Sequence, residues 1–262
     1  MKCREKLLLS LLVLLLAGMS LSWRLESSSK AAPLGHDATF VIKTITGAKK
    51  VEIQLVFFDE KQCTLRVAVN PSRQMAAPLN EIAAEAKALA VCNGGYFHVD
   101  NLTSDGLEIA DGRRADEFRR NAGWVGALMV RQDKPSLILE KEFQDAPDIS
   151  DFIQCSPWLV DEGQICPVLN PSQDPRNRRT FIMTDGAGRW AIGVCNGVGL
   201  HELAGILVTP GIITEMKVKR ALNLDGGPFT GLWCRSADDR EHFEKPGWEV
   251  RNAIMVLPRD SR

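Results

Sequence analysis

The sequence predicts an α+β fold, a strand-rich mixed sheet with a few helices in a single domain, and three observations predict it. Short runs rich in β-branched and aromatic residues recur along the chain between Gly, Lys-Lys and Asn-Pro breaks. Only EIAAEAKALA and LHELAGIL switch to a helical period. No internal repeat or low-complexity tract interrupts the 262 residues, a length that suits one large domain.

The elements follow in order. Residues 1–22 place Lys2, Arg4 and Lys6 ahead of an apolar run from Leu7 to Leu16, the layout of an export signal. Left uncleaved, this segment would be an N-terminal anchor and the only membrane contact, with the domain outside either way. Residues 23–38, rich in Ser, Ala and Lys, read as a linker, and 39–262 as the domain. Thr39–Ile45, Val51–Phe58 and Thr64–Val69 read as a strand meander. Asn80 is a candidate N-cap for a helix that puts Ile82, Ala83, Ala86 and Leu89 on one face.

That helix runs into AVCNGGYF, a short apolar strand ending on a polar residue and two glycines. GLEIADGRR, Trp124–Arg131 and Ser136–Glu140 read as further strands, and Pro147–Asp151 as a loop. Trp158–Val160 and Gln164–Cys166 form two arms around Asp161-Glu162-Gly163, and PVLNPSQDPRNRR is a long loop. TFIMTDGAGRWAIGV, two strands around Asp-Gly, is the sharpest hairpin signal in the chain. LHELAGIL aligns Leu200, Leu203, Ala204 and Leu207 as a second helix, ALNLDGGPF is a strand that stops abruptly, and EVRNAIMVLP is the last strand.

A formal net charge of -1 excludes nucleic acid and anionic membrane surfaces as general partners, since both demand an excess of Lys and Arg. His36, His98, His201 and His242 have no mutual ligand spacing, and the G-x-S-x-G, P-loop and Rossmann patterns are absent. Beyond Cys3 there remain Cys63, Cys92, Cys155, Cys166, Cys195 and Cys234, an even set that permits disulfides in an exported chain. Cys155 and Cys166, flanking a hairpin, are the easiest local pair; buried free thiols are the alternative.

Two strand ends stand out: Asn93-Gly94-Gly95 and Asp225-Gly226-Gly227. An Asp-Gly pair alone is a turn signal. Twice, each behind a helix, it predicts neighbouring strand ends where glycine N–H groups form an anion nest. Arg178-Arg179-Thr180 opens the hairpin, and Arg251 sits within the apolar pattern of the last strand. Such an arginine is either tied to a carboxylate such as Asp225 or aimed into a site. Candidate acids and bases are therefore Asp225, then Glu108, Asp111 and Asp185, the last two also fitting simple turns.

Taken in order, NGGYF, GLEIADGR, RRTFIMTDGAGRWAIGV, LHELAGIL, ALNLDGGP and VRNAIMVLP resemble the phosphodiester glycosidase family over roughly Thr64 to Pro258. One departure is visible: family members usually carry a serine soon after Asp-Gly-Gly, where this chain has Pro228-Phe229-Thr230. The resemblance implies a single domain of that type and an exported hydrolase that cleaves the glycosidic C1–O bond of a sugar-1-phosphodiester. Its substrate would be a small sugar phosphate or a glycan. It implies Asp225 as base or nucleophile, Arg179 and Arg251 as a phosphate clamp, and Asn93, Gly94, Gly95, Thr180, Gly226, Gly227 and Thr230 as binding residues. No cofactor is implied, and a divalent metal is left open. The alternatives are an envelope protein that binds carbohydrate or sugar phosphates without turning them over, and a phosphodiesterase that cuts the P–O bond.

Overall fold

The computed structural model describes residues 23–69, 77–120 and 125–259, and the expected export signal lies outside the described residues. Among the described residues every strand pairing is antiparallel, so several antiparallel sheets replace the expected mixed sheet. The reason is the connections: short turns such as Asp185–Gly188 join antiparallel neighbours, whereas a parallel neighbour needs a long crossover.

The largest sheet has nine strands. Its order is Arg24–Ser28, Ala38–Thr46, Lys50–Asp59, Arg189–Val198, Asn177–Thr184, Arg220–Asn223, Trp158–Asp161 and Gln164–Ile165, with Ala32–Gly35 also paired to Ala38–Thr46. The segment 23–38 is therefore not a linker: it supplies two strands, registered as Arg24↔Thr46 and Ala32↔Phe40. Arg24–Ser28 is an edge strand with mostly exposed side chains, so it needs no apolar alternation and its polar composition concealed it. A second sheet runs Arg113–Ala115, Glu108–Ala110, Ile149–Cys155, Gly126–Arg131, Lys134–Leu139. The expected loop Pro147–Asp151 becomes strand from Ile149 onward. Asp151 obscured it: this buried carboxylate accepts from the Arg66 guanidinium at 2.9 Å and the Val67 N–H at 2.8 Å.

The third sheet runs Glu241–Glu244, Leu232–Arg235, Ala90–Asn93, Asn252–Pro258, Cys63–Val69. Its first two strands form a hairpin that the sequence reading left unassigned. The α-helices among the described residues are Leu79–Ala86 and Leu200–Val208. The first begins at Leu79 behind Pro78, whose carbonyl accepts from Glu81 and Ile82, so Asn80 stands exposed inside the helix instead of capping it. Among the described residues no helix is long and apolar enough to cross a membrane.

The core sits where the three sheets converge. Val56, Phe58, Ile182, Ile192 and Leu222 of the first meet Leu128 and Ile153 of the second and Leu65, Cys92 and Ile254 of the third. On its other face the large sheet buries Ile53, Leu55, Phe57 and Phe181 against Leu203, Ala204, Ile206 and Leu207 of the second helix. Two-sided burial explains why Leu55, Val56, Phe57 and Phe58, within Lys50–Asp59, form a continuous apolar run. Cys155 and Cys166 are unpaired, as are the other four cysteines, and five of the six thiols are buried.

Gly193 lets Phe181 cross the centre of the large sheet. A Cβ there would lie 2.7 Å from both the Phe181 ring and a Leu55 methyl. Gly193→Val should therefore cost about 1–3 kcal/mol by overpacking, read as a lower urea midpoint at unchanged slope.

Candidate active site

The two Gly-Gly strand ends do meet, at a junction between two sheets and not along the edge of one. Ala90–Asn93 belongs to the third sheet and Arg220–Asn223 to the first, and the Asp225 N–H donates to the Gly94 carbonyl at 2.9 Å. Asn93, buried, fastens the joint. Its Nδ2 donates to the Asp225 carbonyl at 2.7 Å, while its Oδ1 accepts from the Thr180 hydroxyl at 2.6 Å and the Gly231 N–H at 3.1 Å.

This changes what several expected binding residues do. Asn93 and Thr180 spend their polar atoms on each other and on the backbone, and Thr180 is fully buried. No anion nest forms at Gly94 and Gly226, because the Gly94 N–H donates to the Asn252 carbonyl and the Gly226 N–H to the Asp225 carboxylate at 2.7 Å. Glycine is required there for closeness: a Cβ would lie 2.3 Å from Asn252 Oδ1 at Gly94, 3.0 Å from the Gln154 carbonyl at Gly95 and 2.8 Å from the Arg178 carbonyl at Gly226. Gly227 is the one of the four with a left-handed backbone, φ 60°, opening the 3-10 turn Gly227–Phe229. Thr230, which stands near the family's serine, is fully buried with an unpartnered hydroxyl.

Arg251 is not tied to Asp225. It immediately precedes the last strand, is 2 % exposed, and donates Nη1 to the Glu108 carboxylate and Nε to the Leu102 carbonyl. Asn252 adds a 2.7 Å bond to the same Glu108 oxygen. In a fully desolvated pair of this kind, removing one partner strands the other charge. Asp185 likewise serves its turn, accepting from Ala187 and Arg189, and Asp111 sits exposed in a left-handed turn position.

What remains is Asp225 with Arg179. Burial raises the Asp225 carboxyl to about 7, partly opposed by the Gly226 N–H, and no like charge contributes. Arg179 is half-buried; its Nε and Nη2 donate to the carbonyls of Val198 and Pro175, and no carboxylate among the described residues forms an ion pair with it. Burial lowers its pKa, yet a guanidinium stays charged. Tyr96, the only tyrosine of the chain, feels both groups electrostatically. Its hydroxyl donates to the Ser156 carbonyl at 2.9 Å and accepts from Asn223 Nδ2 at 2.9 Å.

Sequence reasoning missed Tyr96 and Asn223. Asn223 ends the strand Arg220–Asn223 two residues before Asp225, and that nearness in sequence was the available signal. Its Oδ1 is buried without a partner. Among the described residues no group of three or more His, Cys, Asp or Glu is placed to hold a metal ion.

Two outcomes test this geometry. Asn93→Ala leaves three backbone and hydroxyl groups unpartnered and should cost about 2–4 kcal/mol by denaturant titration. Asp225 titrates higher folded than unfolded, so the stability it confers is full below about pH 4 and is lost as pH rises through about 7. Asp225→Asn should therefore be more stable than wild type at pH 8, by roughly 2–4 kcal/mol, with the gap closing below pH 5.

The comparisons with known proteins bear on the family and the fold. A family model described as phosphodiester glycosidase matches residues 86–257. The zebrafish N-acetylglucosamine-1-phosphodiester alpha-N-acetylglucosaminidase catalytic domain, auto-inhibited by its pro-peptide, superposes with TM-score 0.63 at 17% identity, over 93% of this chain and 91% of that one. A hypothetical protein from Synechocystis gives TM-score 0.59 at 14% identity, over 85% of this chain and 62% of that one. A Burkholderia pseudomallei K96243 protein whose export is inferred gives 0.50 at 10%, over 84% and 74%. No curated protein sequence matches the chain. With the model spanning most of the described domain, the chain belongs to the phosphodiester glycosidase family.

Proposed function

We propose that the protein is an exported hydrolase that cleaves the glycosidic C1–O bond of a sugar-1-phosphodiester, with Asp225 and Arg179 as its working pair. The observation that carries this reading is a desolvated carboxyl titrating near 7 and a half-buried arginine, both of which act electrostatically on Tyr96. A family of phosphodiester glycosidases supplies the reaction class.

The chemistry suits the residues. A phosphate monoester leaves readily, so the second carboxylic acid that ordinary glycosidases use to protonate the leaving oxygen is dispensable. Arg179 would hold the departing phosphate and neutralise the charge that develops on it. Asp225, ionised above about pH 7, would take a proton from water attacking C1. Tyr96 would line the space near them, its hydroxyl fixed by the Ser156 carbonyl and by the buried Asn223 amide. Arg251 is left out of the clamp because Glu108 holds its charge.

The test is release of N-acetylglucosamine from a GlcNAc-1-phosphomethyl ester in ¹⁸O-labelled water. Label in the sugar supports the glycosidase; label in the phosphate makes it a phosphodiesterase instead. Binding without release favours the sugar-phosphate-binding reading, for which the replacement of the family's serine by Pro228-Phe229-Thr230 speaks.

Asp225→Asn should lower kcat by about 10²–10⁴. Because the ionised form is the active one, wild-type kcat/KM should rise with pH to a plateau, with a midpoint near 7, and this limb should be missing from the residual activity of the variant. Arg179→Met should reduce kcat/KM for the phosphodiester by about 10²-fold or more, measured by initial rates.

A further inference from the structure

We infer that the cavity between the first helix and the edge of the third sheet is a binding site for a small aliphatic amine, whose ammonium group is received by Glu108. The inference goes beyond the hydrolytic reading and needs no part of it.

The cavity measures about 480 Å³, within the usual range for small ligands. Three elements border it: the edge strand Cys63–Val69 of the third sheet, the helix Leu79–Ala86, and the strand pair Glu108–Ala110 and Arg113–Ala115 of the second sheet. Val67, Val69, Ile82 and Met255 give it apolar walls. Glu108 also lines it, at 1 % exposed. Arg251 Nη1 and Asn252 Nδ2 both donate to Oε2 of this carboxylate, which leaves Oε1 buried without a partner. Folded proteins rarely leave a buried polar oxygen in that condition, so a donor is called for on the side of the carboxylate that Arg251 and Asn252 do not serve.

The chemistry of the lining selects the occupant. Arg251 balances the charge of Glu108, and around the rest of the cavity Glu85 and Asp111 outnumber Arg113, so an anion is repelled and a cation attracted. A divalent metal needs several converging oxygens, and among the described residues no group of three or more His, Cys, Asp or Glu is placed to hold one. A quaternary ammonium has no N–H to give Oε1, and no aromatic ring is among the described residues of the lining to receive its charge. A primary ammonium meets both demands. Its N–H groups make a charge-assisted bond to Oε1, and a short alkyl chain behind it covers the walls of Val67, Val69, Ile82 and Met255.

The probe is n-pentylammonium chloride, fully charged at pH 7, titrated into the purified protein by calorimetry beside its uncharged match, 1-pentanol. Pentylammonium should bind saturably, at least about tenfold more tightly than pentanol. Ala86→Phe fills the cavity from the helix without touching the Glu108–Arg251 pair, and should weaken pentylammonium about tenfold or more. Glu108→Gln should weaken it as much; where this variant fails to fold because Arg251 has lost its counter-charge, Ala86→Phe decides. Asp225→Asn removes the other buried carboxyl that a cation could seek, and should bind the probe as wild type does. Absent or unsaturable binding, the mark of a cavity that holds water alone, overturns the inference. So does equal affinity for pentanol, binding that survives Ala86→Phe, or binding lost in Asp225→Asn.

Discussion

One side-chain amide, that of Asn93, holds the site together. Three segments from two sheets end on it: the Thr180 hydroxyl, the Asp225 carbonyl and the Gly231 N–H. Each bond contributes only about 1 kcal/mol net, but a missing one leaves a buried polar group unpaired at greater cost. The joint therefore has a strong preference for one arrangement. Gly94 and Gly226 follow from it, because backbones drawn this close have no room for a Cβ. The conspicuous glycines serve the packing of the junction, and the site is a consequence.

Charge is sorted around that junction by burial. Arg251 and Glu108 are both almost fully inaccessible and neutralise each other. Asp225 has no such partner, so desolvation holds its proton until about pH 7. Arg179 has carbonyls for company and is only half-buried. The result is a carboxyl poised at neutral pH in a protein that is less stable for ionising it, the common trade between a strained site and a stable fold.

The neighbours Arg178 and Arg179 show how a strand divides labour. The register shifts between Asn177 and Arg179, an irregularity of the kind that re-aims a side chain. Arg178 reaches Glu244 and Lys245, while Arg179 reaches toward Val198 and Pro175 on the side of Tyr96. One short segment thus braces the end of the strand Glu241–Glu244 and supplies the cation.

The sequence by itself determined the periodic elements. The hairpin around Asp185, the helix at Leu200–Val208 and the strand stopping before Asp225 were legible because apolar spacing and turn residues are local signals. Ordered motifs from Asn93 to the last strand also carried the family. Tertiary structure alone decided which strands share a sheet, that polar Arg24–Ser28 is an edge strand, and that Glu108, not Asp225, neutralises Arg251. It also joined the Asn93 amide to the Thr180 hydroxyl, and the Tyr96 hydroxyl to Asn223. The physical reason is one of range: backbone propensity acts over a few residues, whereas the partner of a buried charge or amide is fixed only when sheets distant in sequence close over it and water is gone.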